Sequence, residues 1–219
     1  MLVAVDCVIF GFDPTGIKLL VFQRKVQPFF GHWSLIGSFV QPKEDVRTAA
    51  IRIVEESTGL TDVYLEELGC YGQVDRDPGA RVVSIVHYAL LRIDEYKLSP
   101  VEDYQARWFD FEDLPDLIFD HQKMVKDAMN KLRKKSRYRP IGFELLPAQF
   151  TIPQLKKLYD AIYQKELDRR NFRKKILSMK ILNKLNIKDR SSSKKGAYLY
   201  EFNKENYEQL LQEGIDFKL

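Results

Sequence analysis

The sequence predicts an α/β sandwich followed by a second, helical and strongly basic domain. Three observations carry this expectation. Apolar runs rich in Val, Ile and Leu recur at strand length up to about residue 111, interrupted by one amphipathic helix pattern and followed by another. The stretch SRYRPIGFELLP (136–147), with two prolines and a glycine, then breaks the pattern. The charge also changes sign along the chain: residues 1–130 hold 13 Lys+Arg against 21 Asp+Glu, residues 131–219 hold 22 against 10.

Residues 2–11 (LVAVDCVIFG) and 17–23 (IKLLVFQ) flank the turn-prone FDPTG and read as a hairpin of buried strands. The first strand starts almost at Met1, which leaves room for a few residues ahead of it. Residues 44–58 read as a helix with Ala49, Ala50, Ile53 and Val54 on its inner side. Residues 64–74 and 81–93 form a second strand pair around DRDPGA, a third strand lies near 105–111, and DHQKMVKDAMNKLRKK is a helix ending in a basic turn. The domain boundary is placed between 138 and 139. Beyond it Thr151-Ile-Pro-Gln154 opens a helix, with Thr151 as cap and Gln154 reaching back. That helix runs to about Gln164 and a second from Asp168 to about Met179. A polar loop, KDRSSSKKG, then enters a short strand, Ala197–Phe202. Helix, turn, helix and basic hairpin is the order of a winged helix-turn-helix.

With 45% apolar residues in 219, the chain can bury at least one sizeable core. Cys7 and Cys70 suit a reducing compartment, and the scattered His32, His87 and His121 leave no zinc spacing. No apolar run approaches a membrane span. The cytoplasm is expected, with no membrane partner.

The segment GSFVQPKEDVRTAAIRIVEESTGL (37–60) has the outline of a magnesium-binding catalytic helix. It resembles the Nudix box, G-x5-E-x7-R-E-U-x-E-E-x-G-U with U aliphatic. Glu44, Arg52, Val54, Glu56, Gly59 and Leu60 match six of nine defined positions. Ser38, Ile53 and Ser57 depart from it. In the family, three glutamates of the second half share one helical face and hold magnesium. Only Glu56 of these three survives, and Ile53 is expected to point into the site. Glu55, turned by roughly 100°, does not rescue the set. Pyrophosphate hydrolysis, which needs that metal, is not expected. The expectation is therefore no catalytic residue, no metal and no cofactor. Arg52 and Glu56, at i,i+4, read as a salt bridge fastening the preceding loop.

The segment LPAQFTIPQLKKLYDAIYQKELDRRNFRKKI resembles the C-terminal domain of Nudix-related regulators of the NrtR type. Together the two resemblances imply a Nudix-like α/β/α sandwich (1–138) that senses a small effector and a winged helix (139–219) that binds operator DNA. In the second helix Phe172, Ile176 and Met179 share the inner angle, leaving Arg170, Asn171, Lys174 and Ser178 opposite, flanked by Arg173 and Lys175. Arg and Asn suit bidentate reading of base edges, and Lys grips phosphate. Arg169 precedes this face, and Lys194 and Lys195 are expected to serve as a wing on the phosphates. A homodimer is expected, because twofold-related recognition helices match a palindromic operator.

The resemblance also divides by effector: some such regulators resemble ADP-ribose sensors governing NAD synthesis, others answer to a sugar such as L-arabinose. By fold position Asp6, Arg24, Ser38, Phe39 and Glu56 are candidate effector contacts. Asp75, Arg76 and Arg81, in YGQVDRDPGAR, either decorate a hairpin turn or join them. The sugar is favoured, since loss of metal ligands harms a diphosphate site more. The rival reading is an active Nudix hydrolase on ADP-ribose or a related nucleoside diphosphate.

Overall fold

The computed structural model describes residues 1–93, 106–190 and 194–213, in two compact units, Met1–Lys131 and Leu132–Leu219. The first unit is built on a mixed sheet. Its strands are β1 (Leu2–Asp13), β2 (Gly16–Gln23), β3 (Trp33–Ser34), β4 (Ile36–Phe39), β5 (Glu66–Tyr71), β6 (Val82–Arg92) and β7 (Ala106–Asp110). β1 and β2 form the expected hairpin, and β5 pairs antiparallel with β6. The central join is a long parallel pairing of β1 with β6, from Leu2↔Val82 to Phe12↔Arg92. This pairing brings Asp6 beside Val86 and Ser84 beside Ala4, two residues back.

Alternation along β1 decides what each sheet face carries. Val5, Cys7 and Ile9 join a core cluster with Ala49, Ala50, Ile53 and Val54 of helix α1 (Val46–Thr58). Asp6 points to the other face. α1 starts at Asp45, whose side chain accepts from the Thr48 N–H (2.7 Å), and ends at Gly59 with φ 69°, a conformation that costs glycine little.

Helix α2 (His121–Tyr138) is continuous, about 27 Å long at 1.5 Å per residue. Its first half buries Met124, Val125, Ala128 and Met129, and Tyr71 donates to Asp127 (2.8 Å). The two compact units divide at 131/132, within this helix; the boundary expected from the sequence is 138/139. The turns after Lys131 belong to the second unit, where Arg133 Nε donates to the Ile162 carbonyl (3.0 Å). The Pro/Gly-rich segment marks where the helix stops, which is later than where its partners change.

The second unit has helices α3 (Ile152–Tyr163), α4 (Arg169–Ser178) and α5 (Lys204–Gln212), and a sheet ordered β8 (Phe150–Thr151), β10 (Ala197–Phe202), β9 (Leu182–Asp189). Thr151 and Gln154 form the full capping box, with Thr151 N–H donating to Gln154 Oε1 (2.7 Å). Leu155, Leu158, Tyr159 and Ile162 are buried on the predicted stripe, and the Tyr159 ring meets Phe172 of α4 at 5.7 Å. β9 was not foreseen. Its sequence, LNKLNIKD, is half-exposed and polar, and it is held as a strand by pairing with β10 rather than by an apolar face. Among the described residues no helix is long and apolar enough to cross a membrane.

Replacing Thr151 with Ala removes the hydroxyl that accepts from the Gln154 N–H and leaves the backbone N–H bond to Gln154 Oε1, and is expected to lower stability by about 1 kcal/mol. Chemical denaturation followed by helical circular dichroism would measure it.

Candidate functional site

Helix α1, the candidate catalytic helix, is tied to the loop before it through Arg52. The Arg52 guanidinium grips Glu44 with two bonds, Nε to Oε2 (2.9 Å) and a terminal nitrogen to Oε1 (2.6 Å). It also donates to Glu56 Oε2 (3.0 Å) and to the Phe39 carbonyl (3.3 Å). The expected i,i+4 pair is present, but the tether to the preceding loop runs through Glu44 and Phe39. Arg52 beside it, helped by the Gln41 N–H, holds the Glu44 carboxyl down to about 2. Ile53 lies in the core cluster, 1% exposed, so it does not point into a site as expected. A helix residue one place before Val54 remains on the inner side when α1 rests on β1 in this register. Ser57, by contrast, lines a cavity.

That cavity, about 610 Å³, opens on the Asp6 face of the sheet. Its floor is a buried ionic cluster. Asp6 Oδ2 accepts from Ser84 Oγ (2.6 Å) and from Arg76 (3.4 Å), and the same Arg76 grips Asp120 with bonds of 3.0 and 2.8 Å. His121 faces Asp6 Oδ1 through Nε2 (3.6 Å), while its Nδ1 accepts from the Leu35 N–H (3.0 Å). A ring nitrogen that accepts carries no proton, so the neutral imidazole has its hydrogen on Nε2, toward Asp6. Burial pushes the His121 pKa down, which keeps the ring neutral. Gly37 borders the cluster: a Cβ there would stand 2.1 Å from Asp6 Oδ1, so β4 passes Asp6 this closely only as glycine.

The rim is cationic and aromatic. Arg24 and Lys25 line it, with Pro28, Phe39 and Phe119. The Arg24 guanidinium stands over the Phe119 ring (5.6 Å to its centre), and Nε donates to the Pro28 carbonyl (3.2 Å). Phe29 meets Phe119 edge-on (5.4 Å). Both phenylalanines have left-handed backbones, φ 67° and 54°, which costs on the order of 1 kcal/mol each and is characteristic of functional sites.

Of the candidate effector contacts, Asp6, Arg24, Ser38, Phe39 and Arg76 line the cavity. Glu56, Asp75 and Arg81 do not. Glu56 is largely exposed and bound to Arg52. Arg81 donates to the Gly72, Gln73 and Val82 carbonyls, fastening its own hairpin, and Asp75 lies exposed in the same turn. Sequence reasoning missed Lys25, Ser84, Phe119, Asp120 and His121. Only the DH pair at the start of a helix was available as a signal, and nothing local ties it to Asp6, more than a hundred residues earlier.

In the second unit all six candidate residues on α4 (Arg169, Arg170, Asn171, Arg173, Lys174 and Lys175) are exposed, while Phe172 and Ile176 are buried. Met179 is only half-buried, because the helix ends at Ser178. Asp168 caps α4 by accepting from the Asn171 N–H (2.7 Å). Among the described residues no ion pair engages any of the cations on α4 or Lys194 and Lys195, which sit exposed in the β9–β10 turn. Lys174 and Lys175 also edge a groove completed by Arg137 and Lys165, which the sequence reading did not single out.

Comparison with known proteins agrees with both halves. The model of the NUDIX domain matches residues 1–128, and that of the NrtR DNA-binding winged helix domain matches 142–202. The ADPR responsive transcriptional repressor NtrR of Acinetobacter baylyi is 28% identical over 94% of this chain and 84% of its own length. The ADP-ribose pyrophosphatase of Methanocaldococcus jannaschii is 40% identical over 58% of this chain and 72% of its own. The crystal structure of Shewanella oneidensis NrtR complexed with a 27mer DNA has TM-score 0.76 at 24% identity, over 95% of this chain and 96% of that one, a likeness of fold. The NUDIX domain of the same protein complexed with ADP ribose has TM-score 0.53 at 28% identity, over 60% and 88%.

Glu44 binds its proton less readily folded than unfolded, so its pairing stabilises the fold above its ordinary pKa of 4.5. That contribution disappears as pH falls toward about 2. Glu44→Gln is therefore expected to flatten the loss of thermal stability between pH 5 and 2, measured by melting temperature against pH.

Proposed function

The chain belongs to the NUDIX family and carries an NrtR-type DNA-binding winged helix, and from this premise we propose that it is an ADP-ribose-responsive transcriptional repressor. The first unit holds the effector in the cavity above Asp6. The second places the N-terminal half of α4 in the major groove of a palindromic operator, with Lys194 and Lys195 on the phosphates as a wing. Arg137 and Lys165 extend the phosphate-facing surface. The working form is a cytoplasmic homodimer, since a twofold axis matches the operator's symmetry. Release from DNA requires that the effector bind the non-DNA-binding arrangement more tightly.

The observation that carries the reading is the row of exposed cations on α4 with no counter-charge, on a chain similar over nearly its whole length to a repressor. ADP-ribose takes the place of the sugar favoured on sequence alone. The case for a sugar rested on the lost metal ligands, and Arg24 and Lys25 line the cavity as cations that can meet a diphosphate. Likeness to an ADP-ribose pyrophosphatase raises the alternative of hydrolysis. Against it stand Ile53 in the core and Ser57 where a carboxylate would be needed. The fold binds the diphosphate without cutting it.

With a fluorescent operator duplex, ADP-ribose should lower the bound fraction while L-arabinose should not, and no AMP should accumulate with magnesium present. An operator complex indifferent to ADP-ribose would overturn the effector assignment. Arg170→Ala should cost about 1–3 kcal/mol on the operator and relax base preference. Lys194→Ala with Lys195→Ala should weaken operator and random duplex alike and reduce the salt slope by about 2.

A further inference from the structure

We infer that the diphosphate is neutralised by the side chains of Arg24 and Lys25, in place of the divalent cation a Nudix site ordinarily employs, and that effector binding is independent of magnesium. The inference rests on the proposed effector being ADP-ribose or another nucleoside diphosphate.

The residues present do not fit the metal. Magnesium asks for hard oxygen donors, carboxylates among them, arranged octahedrally. Ile53 is a hydrocarbon in the core, Ser57 offers a neutral hydroxyl, and Glu56 is bound to Arg52. Among the described residues no three His, Cys, Asp or Glu side chains come together as a metal-holding group. The two carboxylates that line the cavity are already engaged. Asp6 is met by Ser84 and Arg76, and Asp77 accepts from the Gly79 N–H (2.8 Å).

Positive charge is available instead. Arg76 is matched by Asp6 and Asp120 and cannot serve twice. Arg24 and Lys25 form no ion pair among the described residues, and both line the cavity, one cation for each phosphate. Arg24 uses Nε on Pro28, which leaves its two terminal nitrogens for a bidentate grip on phosphate oxygens. Its place is set by the backbone. Arg24 N–H donates to the His32 carbonyl (3.0 Å), Gly31 N–H donates to the Arg24 carbonyl (2.8 Å), and Phe119 supports the guanidinium from below.

Calorimetric titration of the full chain with ADP-ribose, in EDTA and in excess magnesium, tests this directly. The expected result is one dissociation constant in both buffers. Arg24→Ala and Lys25→Ala should each weaken binding by about tenfold or more, the scale of one charged hydrogen bond. Circular dichroism melts of the free variants would separate lost binding from lost fold, and Lys25→Gln serves as a milder second change. Binding seen only with magnesium, or unchanged in folded Arg24 and Lys25 variants, would overturn the inference and leave ADP-ribose as effector intact. No binding in either buffer would instead remove the effector assignment itself.

Discussion

A carboxylate removed from water must be met by donors, or it gives up its charge. Asp6 is met from a neighbouring strand by Ser84, from a hairpin by Arg76, and it is faced by His121 from the start of α2. Two stretches far from β1 in sequence, 76–84 and the start of α2, are thereby tied to one oxygen pair, and the cavity floor is their common surface. The position depends on the parallel pairing of β1 with β6 and on Gly37, whose missing Cβ lets β4 pass. Arg76 would be costly in such a place alone, but its fork spans two carboxylates, so the cluster as a whole is close to satisfied.

The same economy of charge runs through α1. Arg52 consumes Glu44 and Glu56 in one tether, and the residue that a metal site needs next to it has joined the core. What the cavity lacks in carboxylates it gains in cations from the turn between β2 and β3. A site that once organised anions around a metal is, in the proposed reading, one that meets an anion directly. Binding and cleavage separate at this point, because neutralising a diphosphate holds it while only an activated water breaks it.

The second unit follows the opposite rule. Among the described residues the cations of α4 form no ion pair, so their charge is available to a polyanion, and the buried pair Phe172 and Ile176 holds α4 against α3 so that the cationic side faces solvent. In the proposed reading, a loss of effector-dependent control need not involve this surface, since the equilibrium between arrangements is set wherever the effector discriminates between them.

Period and composition alone made the α1 core face, the capping box at Thr151 and the buried stripe of α3 legible, because each is a local pattern read off one helix. The cationic face of α4 was legible for the same reason. Tertiary structure decided the rest. β9 exists because β10 pairs with it. Glu56 and Arg81 are spent on their own neighbours. The cluster of Asp6, Arg76, Asp120 and His121 joins residues separated by up to 115 positions. Periodicity reports which side of an element is apolar, but which charges meet is set by strand register and close approach, and these belong to the folded chain.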